Sequence, residues 1–346
     1  MSPLLSVSED FFGLDIGSSA IRLVQLRGSG ASKTLVKYSY VPIDSRISMS
    51  DSASDRAKLA GIIQQLVSKT VLSTKNVAVG IPSNRVFTTI ADVDRLPPKE
   101  LANSIKLQAD SLIPTPIDES KIDWAVIGDS PTDKTKQSII LTSIPNKYVE
   151  DRLDMLEAIG LNVVAFEPDN LAMARALTPQ DATPHIIIDI GRRSGDLVII
   201  KGGIPFLTRS VPTGVGAIVK SATDNLNVDQ KQAEQFVFKF GMVKTKLEGQ
   251  VYNAIVQTVD MLATEIEKSI KFYQSKYAGE KINNIILTGG ASAIPEFPLY
   301  LANRFGINIE IGNSWRNVAY SQSRQSELLA LSSQFAVAAG LAERKA

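Results

Sequence analysis

Hydrophobic runs separated by polar turns predict a protein of the α/β class. Twice an apolar, strand-like run ends in Asp-Ile-Gly, at residues 15–17 and 189–191, and a polar stretch and a second apolar run follow. Each segment therefore predicts a strand, an acidic tight turn and another strand. A further apolar run, 285–288, leads directly into the glycine pair 289–290.

Helical periodicity fills much of the remaining chain. Apolar residues recur every three or four positions in 57–70 and 251–273, which predicts two amphipathic helices, the second of them long. Glu167-Pro168 is predicted to open a helix, because proline is favoured at the first helical position. Residues 44–55 are rich in Ser and Asp and are predicted to form an exposed loop. A closing helix is predicted near residues 327–341.

These patterns divide the chain into seven segments, with the two Asp-Ile-Gly units in separate halves of a common core. The segments are a loose N-terminal tail (1–10), the first half of the core (11–85), a small inserted α+β subdomain (86–166), a connecting helix (167–183), the second half of the core (184–215), a helical subdomain (216–280), and a return to the core with a C-terminal helix (281–346).

Composition removes several classes of function. The 37 basic and 36 acidic residues leave a net charge of +1 without a basic tract, so nucleic acid is not expected as a partner. The absence of cysteine excludes thiol nucleophiles and zinc–thiolate sites, and the single histidine, His185, makes a catalytic triad an unattractive hypothesis. No run approaches the ~18 apolar residues that span a bilayer. We therefore expect a soluble protein that reaches a membrane through a partner.

The repeated turn has a specific chemical use. A strand that ends in Asp with a glycine two residues later can hold a carboxylate beside free backbone N–H groups. Such a turn can cradle a phosphate group next to an acid that faces a metal ion. Two facing copies could clamp a nucleotide with Mg²⁺ from both sides.

Three glycine-containing turns in this order resemble those of the actin-like ATPase superfamily, which has two related halves around a nucleotide cleft. Within it the chain is most similar to the PilM family of type IV pilus assembly. The most specific motifs are Leu-Pro-Pro-Lys-Glu-Leu (96–101) and Gln-Ala-Asp-Ser-Leu-Ile-Pro (108–114), which lie in the inserted subdomain. Ala-Ile-Gly-Leu (158–161) and Glu167-Pro168 extend the resemblance.

The resemblance implies a site for ATP and Mg²⁺. Asp15 and Asp189 would approach the metal through water, because Mg²⁺ dehydrates reluctantly. Glu167 would orient the attacking water as the one catalytic side chain. The residues implied to contact nucleotide are Gly17, Ser18 and Ser19 in the first phosphate loop, Gly191 and Arg192 in the second, and Glu234, Gly289, Gly290 and Ala291 around the adenosine.

Other interpretations of these residues stay open. Ser18 and Ser19 could simply cap a turn, and Glu167 could be an ordinary acid at a helix N-terminus, where the dipole favours it. Arg192 and its neighbour Arg193 stand where relatives carry small residues. They could bind phosphate bidentately or narrow the site. Val237 stands where relatives usually have a lysine, so nucleotide binding could be altered.

The resemblance also implies the biological role. The chain would be a cytoplasmic, ATP-binding scaffold that binds the cytoplasmic N-terminal peptide of a PilN-like bitopic inner-membrane protein, and it would be peripheral to that membrane through this partner. Nucleotide would modulate partner binding, and hydrolysis would be slow or absent. Homo-oligomers and other pilus assembly proteins are further expected partners. The alternatives are a division protein similar to FtsA and, less favoured, a phosphotransferase of the sugar-kinase branch.

Overall fold

The computed structural model describes residues 10–28, 33–130, 133–179, 181, 183–277 and 279–345. The predicted N-terminal tail therefore lies almost wholly outside the described residues. The described strands are β1 (Phe12–Ile16), β2 (Ala20–Arg27), β3 (Lys33–Pro42), β4 (Asn76–Ile81), β5 (Phe87–Asp94), β6 (Ser120–Asp129), β7 (Lys136–Pro145), β8 (Asn162–Pro168), β9 (His185–Ile190), β10 (Gly195–Lys201), β11 (Ile204–Val211), β12 (Asn284–Thr288), β13 (Asn308–Ile311) and β14 (Val318–Ala319).

Helices occupy most of the sequence between these strands. They are α1 (Ser45–Ser48), α2 (Ala53–Thr70), α3 (Pro98–Leu112), α4 (Asn146–Ala158), α5 (Asp169–Leu177), α6 (Val215–Leu226), α7 (Gln230–Phe240), α8 (Gln250–Lys276), α9 (Phe297–Phe305), α10 (Gln325–Leu331) and α11 (Ala336–Glu343). The long helix predicted from the apolar periodicity is α8, and its buried face carries the predicted residues from Val251 to Tyr273.

The chain forms two compact units. The first unit consists of Met1–Pro82, Lys147–Ala176 and Ser314–Ala346. The second consists of Ser83–Asn146 and Leu177–Asn313. Each unit contains one of the two Asp-Ile-Gly turns.

The first unit is built on a sheet with the strand order β14-β3-β2-β1-β4-β8. Strand β1 pairs antiparallel with β2 and parallel with β4, which in turn pairs parallel with β8. The carboxyl ends of β1, β4 and β8 therefore share one edge of the sheet. Helices α2 and α4 supply the core on one face, while the small, buried residues of α11 contact β1, β2 and β4.

The second unit contains a sheet with the order β11-β10-β9-β12-β13 and a separate sheet with the order β5-β7-β6. Strand β9 pairs antiparallel with β10 and parallel with β12, so the ends of β9 and β12 also meet at one edge. Helices α6, α7 and α8 pack around the main core of this unit. Helix α3 covers one face of the smaller sheet through Leu101 and Ile105.

Three sequence predictions of element bounds were wrong. Glu167 and Pro168 end strand β8 rather than opening a helix, and α5 begins at Asp169. Residues 163–166 include β-branched and aromatic side chains, which favour a strand at this position. Residues 44–55 contain helix α1 and the start of α2 instead of one exposed loop. The closing helix is split into α10 and α11 by the turn Ser332–Gln334.

The residue that follows α2 provides a stability prediction. Val71 has left-handed backbone angles (φ 54°, ψ 63°) and is 73% exposed. This conformation costs an L-residue about 1–2 kcal/mol, and asparagine tolerates it better than a β-branched residue does. We expect Val71→Asn to raise the melting temperature by about 2–4 °C in a thermal melt.

The chain offers a reciprocal control for this change. Asn227 holds the same left-handed position after α6, with φ 53°. Asn227→Val should therefore lower the melting temperature. A lower melting temperature for Val71→Asn would contradict the assignment of strain to Val71.

Candidate functional site

The first Asp-Ile-Gly turn joins β1 to β2 in the first unit. The backbone N–H of Gly17 donates to the carbonyl oxygen of Ala20 at 3.1 Å, which closes the turn. Ser18 is half-buried and Ser19 is exposed. Among the described residues neither serine hydroxyl has a hydrogen-bond partner. Contact of these hydroxyls with phosphate stays a prediction.

Arg22 is a residue of this turn that the sequence interpretation did not assign. It lies directly opposite Asp15 in the β1–β2 ladder, and its Nη1 donates to Asp15 Oδ2 at 3.3 Å. Burial raises the pKa of Asp15 above its usual range, although the Arg22 guanidinium opposes the shift. The Nε of Arg22 is buried and has no acceptor among the described residues. A charged residue within the apolar run from Ile21 to Leu26 was the available signal.

Glu167 lies at the same sheet edge as Asp15, with β4 between their strands. Its side chain is buried and is held by two guanidinium groups. Arg175 donates to both carboxylate oxygens, and Arg344 Nη1 donates to Oε2 at 3.3 Å. Arg175 Nη1 also donates to the carbonyl oxygen of Gly340 at 2.6 Å. This network favours a structural role for Glu167. The sequence instead predicted a water-orienting acid or an ordinary acid at a helix N-terminus.

Glu343, at the end of α11, is a second buried carboxylate in this part of the first unit. Asn317 Nδ2 donates to its Oε2 at 3.1 Å. Burial raises the pKa of Glu343 to about 7, although Asn317 and the cations Arg175, Lys33 and Arg316 oppose the shift. The folded protein thus holds this proton more tightly than the unfolded chain does.

The raised pKa of Glu343 predicts a pH dependence of stability. The stabilisation from proton binding is complete below the unfolded pKa of 4.5 and is lost as the pH rises through the folded pKa of about 7. Glutamine mimics the neutral acid, so Glu343→Gln should lose less stability than the wild type between pH 5 and pH 8. Denaturant melts at each pH test this, and parallel pH profiles for the two proteins would contradict it.

The second Asp-Ile-Gly turn joins β9 to β10 in the second unit. The N–H of Gly191 donates to the carbonyl oxygen of Ser194 at 2.9 Å. The carbonyl oxygens of Gly191 and Arg192 accept from the N–H groups of Val215 and Gly216 at 2.9 and 2.8 Å. These are the first residues of α6, so the loop itself satisfies N–H groups that a helix start otherwise leaves free.

Asp196 is a further residue that the sequence interpretation missed. It lies directly opposite Asp189 in the β9–β10 ladder, so the two carboxylates share one face of the sheet. Both residues are half-buried, and the Ser194 hydroxyl donates to Asp196 Oδ2 at 3.2 Å. Burial raises the pKa of Asp196 above its usual range. Like charges in this position destabilise a sheet, and a bound cation would relieve them.

The glycine-rich turn after β12 lies beside Asp189. Thr288 pairs with Asp189 in the β9–β12 ladder, and Gly289 has a positive φ of 80°. A Cβ at Gly289 would lie only 2.4 Å from Asp189 Oδ1, so no other residue fits. Gly290 is half-buried. Ala291 is fully buried in the core of the unit, so its side chain does not line a binding surface. This burial is evidence against the predicted nucleotide contact by that side chain.

Arg192 and Glu234, both predicted to contact nucleotide, bind each other in the second unit. Arg192 Nη1 donates to Oε1 of Glu234, a residue of α7, at 2.7 Å. Arg193 is exposed. Val237, one turn after Glu234, is fully buried in the core, where a lysine would not be accommodated. A nucleotide at this position would therefore meet an ion pair rather than free charges.

The carboxylates of the first unit and those of the second unit differ in character. Asp189 and Asp196 form a pair of oxygen donors of the type that Mg²⁺ prefers. Asp15 is instead buried against Arg22, which fits an acid that reaches a metal through water. Within the described residues no group of three or more His, Cys, Asp or Glu forms a metal cluster. The donor set therefore fits Mg²⁺ bound largely by phosphate oxygens and water.

Solved structures of low sequence identity share this fold. EutJ, an ethanolamine utilization protein from Carboxydothermus hydrogenoformans, is 15% identical, with 96% of this chain and 88% of that chain covered and a TM-score of 0.58. MreB5 of Spiroplasma citri bound to ADP is 13% identical, with coverages of 95% and 94% and a TM-score of 0.55. The PilM–PilN type IV pilus biogenesis complex is 24% identical, with coverages of 97% and 98% and a TM-score of 0.83.

The fold and the order of its three turns define an actin-like ATPase fold, as the sequence predicted. A family model for the type IV pilus assembly protein PilM matches residues 13–346. The chain therefore belongs to the PilM family. In the part of the chain that the structure describes, no helix combines the length and apolarity needed to cross a bilayer.

Proposed function

We propose that this protein binds ATP with Mg²⁺ and serves as a nucleotide-responsive scaffold in type IV pilus assembly. The observation that carries the proposal lies in the second unit, where Asp189, Asp196 and Gly289 meet at one sheet edge. Bound Mg²⁺ would neutralise phosphate charge there, and the two carboxylates would hold its water ligands. The relative MreB5 was solved with ADP, which supports a nucleotide as the ligand of this fold.

The first unit has a candidate phosphate loop of its own. Gly17 and the hydroxyls of Ser18 and Ser19 would donate to phosphate oxygens, and the buried Nε of Arg22 is a further donor suited to an anion. Asp15 would hold Arg22 in place and approach the metal through water. Gly191, Gly289 and Gly290 would let backbone come close to the nucleotide.

The position of Glu167 supports the proposal that hydrolysis is slow or absent. A group that orients an attacking water needs a carboxylate oxygen that can accept its proton. Both oxygens of Glu167 accept hydrogen bonds from guanidinium groups. We propose that nucleotide binding, rather than turnover, carries the signal in this protein.

The proposed partner is the cytoplasmic N-terminal peptide of a PilN-like bitopic inner-membrane protein. Family membership and the full-length match to the PilM–PilN complex support this choice. Binding such a peptide would place the chain at the cytoplasmic face of the inner membrane. Nucleotide would alter the affinity for the peptide through its differential affinity for two states of the scaffold.

ATP with Mg²⁺ should raise the melting temperature of the wild type, and Asp189→Asn should abolish the rise. At a nucleotide concentration 100 times Kd the stabilisation is about 2.7 kcal/mol. The melt without nucleotide gives the baseline for each protein. Thermal melts with and without 1 mM ATP–Mg²⁺ (a roughly 100-fold excess for a Kd on the order of 10 μM) measure both effects.

Asp224→Asn is the matched control. Asp224 is an exposed acid of the same unit, paired with Lys220, and its replacement should leave the nucleotide response intact. The partner is tested separately, by fluorescence anisotropy of the host's PilN-like N-terminal peptide with and without ATP–Mg²⁺. An unchanged wild-type melt in ATP would contradict nucleotide binding, and peptide affinity independent of ATP would contradict the modulation.

A further inference from the structure

Arg152 of α4 is buried in the first unit without a carboxylate partner. The residue is only 5% exposed. Its Nη2 donates to the carbonyl oxygen of Ser48 at 3.0 Å, its Nη1 lies 3.9 Å from the sulfur of Met155, and its guanidinium lies 5.3 Å from the ring centroid of Tyr148. Among the described residues, none supplies an acid within ion-pair distance of it.

These contacts leave the charge of Arg152 uncompensated. A guanidinium has five N–H donors and does not lose its proton in proteins, so burial cannot neutralise it. A buried charge is costly unless it is paired and hydrogen-bonded. One backbone carbonyl, one thioether and one aromatic ring supply neither a counter-charge nor enough acceptors.

The hydroxyl of Ser48 is a second buried group in this place, and it has no hydrogen-bond partner among the described residues. Ser48 is 1% exposed. The carbonyl of this same residue holds Arg152. Buried polar groups are nearly always hydrogen-bonded, so an unsatisfied hydroxyl beside a buried cation without a counter-charge indicates a ligand.

The neighbouring acid does not supply the missing charge. Asp151 is engaged by Arg56 at 2.8 Å and by Lys147 at 3.2 Å. Asp151 therefore already binds two cations and has no ion pair with Arg152. An anion would supply the counter-charge that Arg152 lacks.

We propose that Arg152 and Ser48 form a binding site for a phosphate-type oxyanion, separate from the nucleotide loops. The planar guanidinium can donate two parallel hydrogen bonds to such a group, and the serine hydroxyl can donate a third. The small exposed part of Arg152 is the route by which the anion reaches it. Helix α1 follows β3 closely, and Ile43 N donates to the carbonyl oxygen of Ser19, so the site adjoins the first phosphate loop along the chain.

Inorganic phosphate is the probe. Thermal melts at constant ionic strength, with chloride replaced by potassium phosphate, should show the wild-type melting temperature rise by about 2–4 °C at a concentration near ten times Kd. Arg152→Met should lose this rise, and without phosphate it should be at least as stable as the wild type, because an unpaired buried charge has been removed. Isothermal titration calorimetry should detect a phosphate-binding event in the wild type that is missing from Arg152→Met.

Three further variants separate the explanations. Arg46→Met removes an exposed arginine that pairs with Asp44, and it should keep the full response to phosphate. Asp189→Asn should also keep it, which distinguishes this site from the nucleotide site, while Arg152→Met should keep the response to ATP. If Arg152→Met does not fold, Arg152→Lys should bind phosphate about tenfold more weakly. No wild-type response to phosphate, or an equal response in Arg152→Met, would overturn the proposal.

Discussion

Gly340→Ala is expected to unfold the first unit of the protein. Gly340 lies in α11, and a Cβ at this position would be 1.8 Å from the carbonyl oxygen of Ala172 and 2.4 Å from its carbonyl carbon. Both atoms are backbone of α5, so no side chain can move aside. Overpacking usually costs about 1–3 kcal/mol, and a clash with the backbone of the neighbouring helix should exceed this range. Circular dichroism and a urea melt measure the loss.

The same unit provides the opposite control. Gly61 also lies inside a helix, α2, but a Cβ there would meet nothing within 4 Å. Gly61→Ala should stabilise the protein by about 1 kcal/mol, because alanine is the better helix former. If Gly340→Ala melted within about 1 °C of the wild type, a shift too small for the clash, α11 could not pack on α5 as described.

The sequence predicted the main hairpins, the long helix and the glycine turn because these elements follow from local periodicity and turn residues. The two Asp-Ile-Gly hairpins, the long helix α8 and the glycine turn after β12 all lie where alternation, helical spacing and glycine placed them. The contact between Gly340 and α5 could not be predicted in this way. It depends on which helices cross, and Gly340 looks from the sequence like an unfavourable residue inside a helix.

In the candidate site, too, the residues set by a local pattern were predicted, and those set by pairing or packing were not. Asp15 and Asp189 were predicted because each ends an apolar strand before a glycine turn. Arg22 and Asp196 were missed, although each lies opposite one of them in a hairpin. Register in a tight hairpin follows from the turn, so counting across both turns would have found them. Ala291 was assigned to the adenosine by its place in a motif, and only packing shows that its side chain faces the core.

Glu167→Gln should destabilise the protein while leaving its response to ATP intact. The substitution removes the charge that Arg175 and Arg344 share. Breaking a fully buried pair costs about 3–5 kcal/mol, and the partial exposure of both arginines lowers the expected cost to about 2–3 kcal/mol. A residue that orients water would behave differently, because its loss would lower turnover and leave the melting temperature unchanged. A urea melt, together with the ATP-dependent shift in melting temperature, distinguishes the two roles.

Glu265→Gln is the control for the change of charge. Glu265 forms an exposed pair with Lys268 one turn away on α8, and losing such a pair should cost no more than about 0.5 kcal/mol. Arg175→Met should reproduce the destabilisation of Glu167→Gln, because it breaks the same network from the other side. Wild-type stability for Glu167→Gln, together with a loss of ATP turnover, would restore the catalytic interpretation. The expected result instead makes Glu167 part of the packing that joins β8, α5 and α11, and leaves the two Asp-Ile-Gly turns as the parts of the protein that respond to nucleotide.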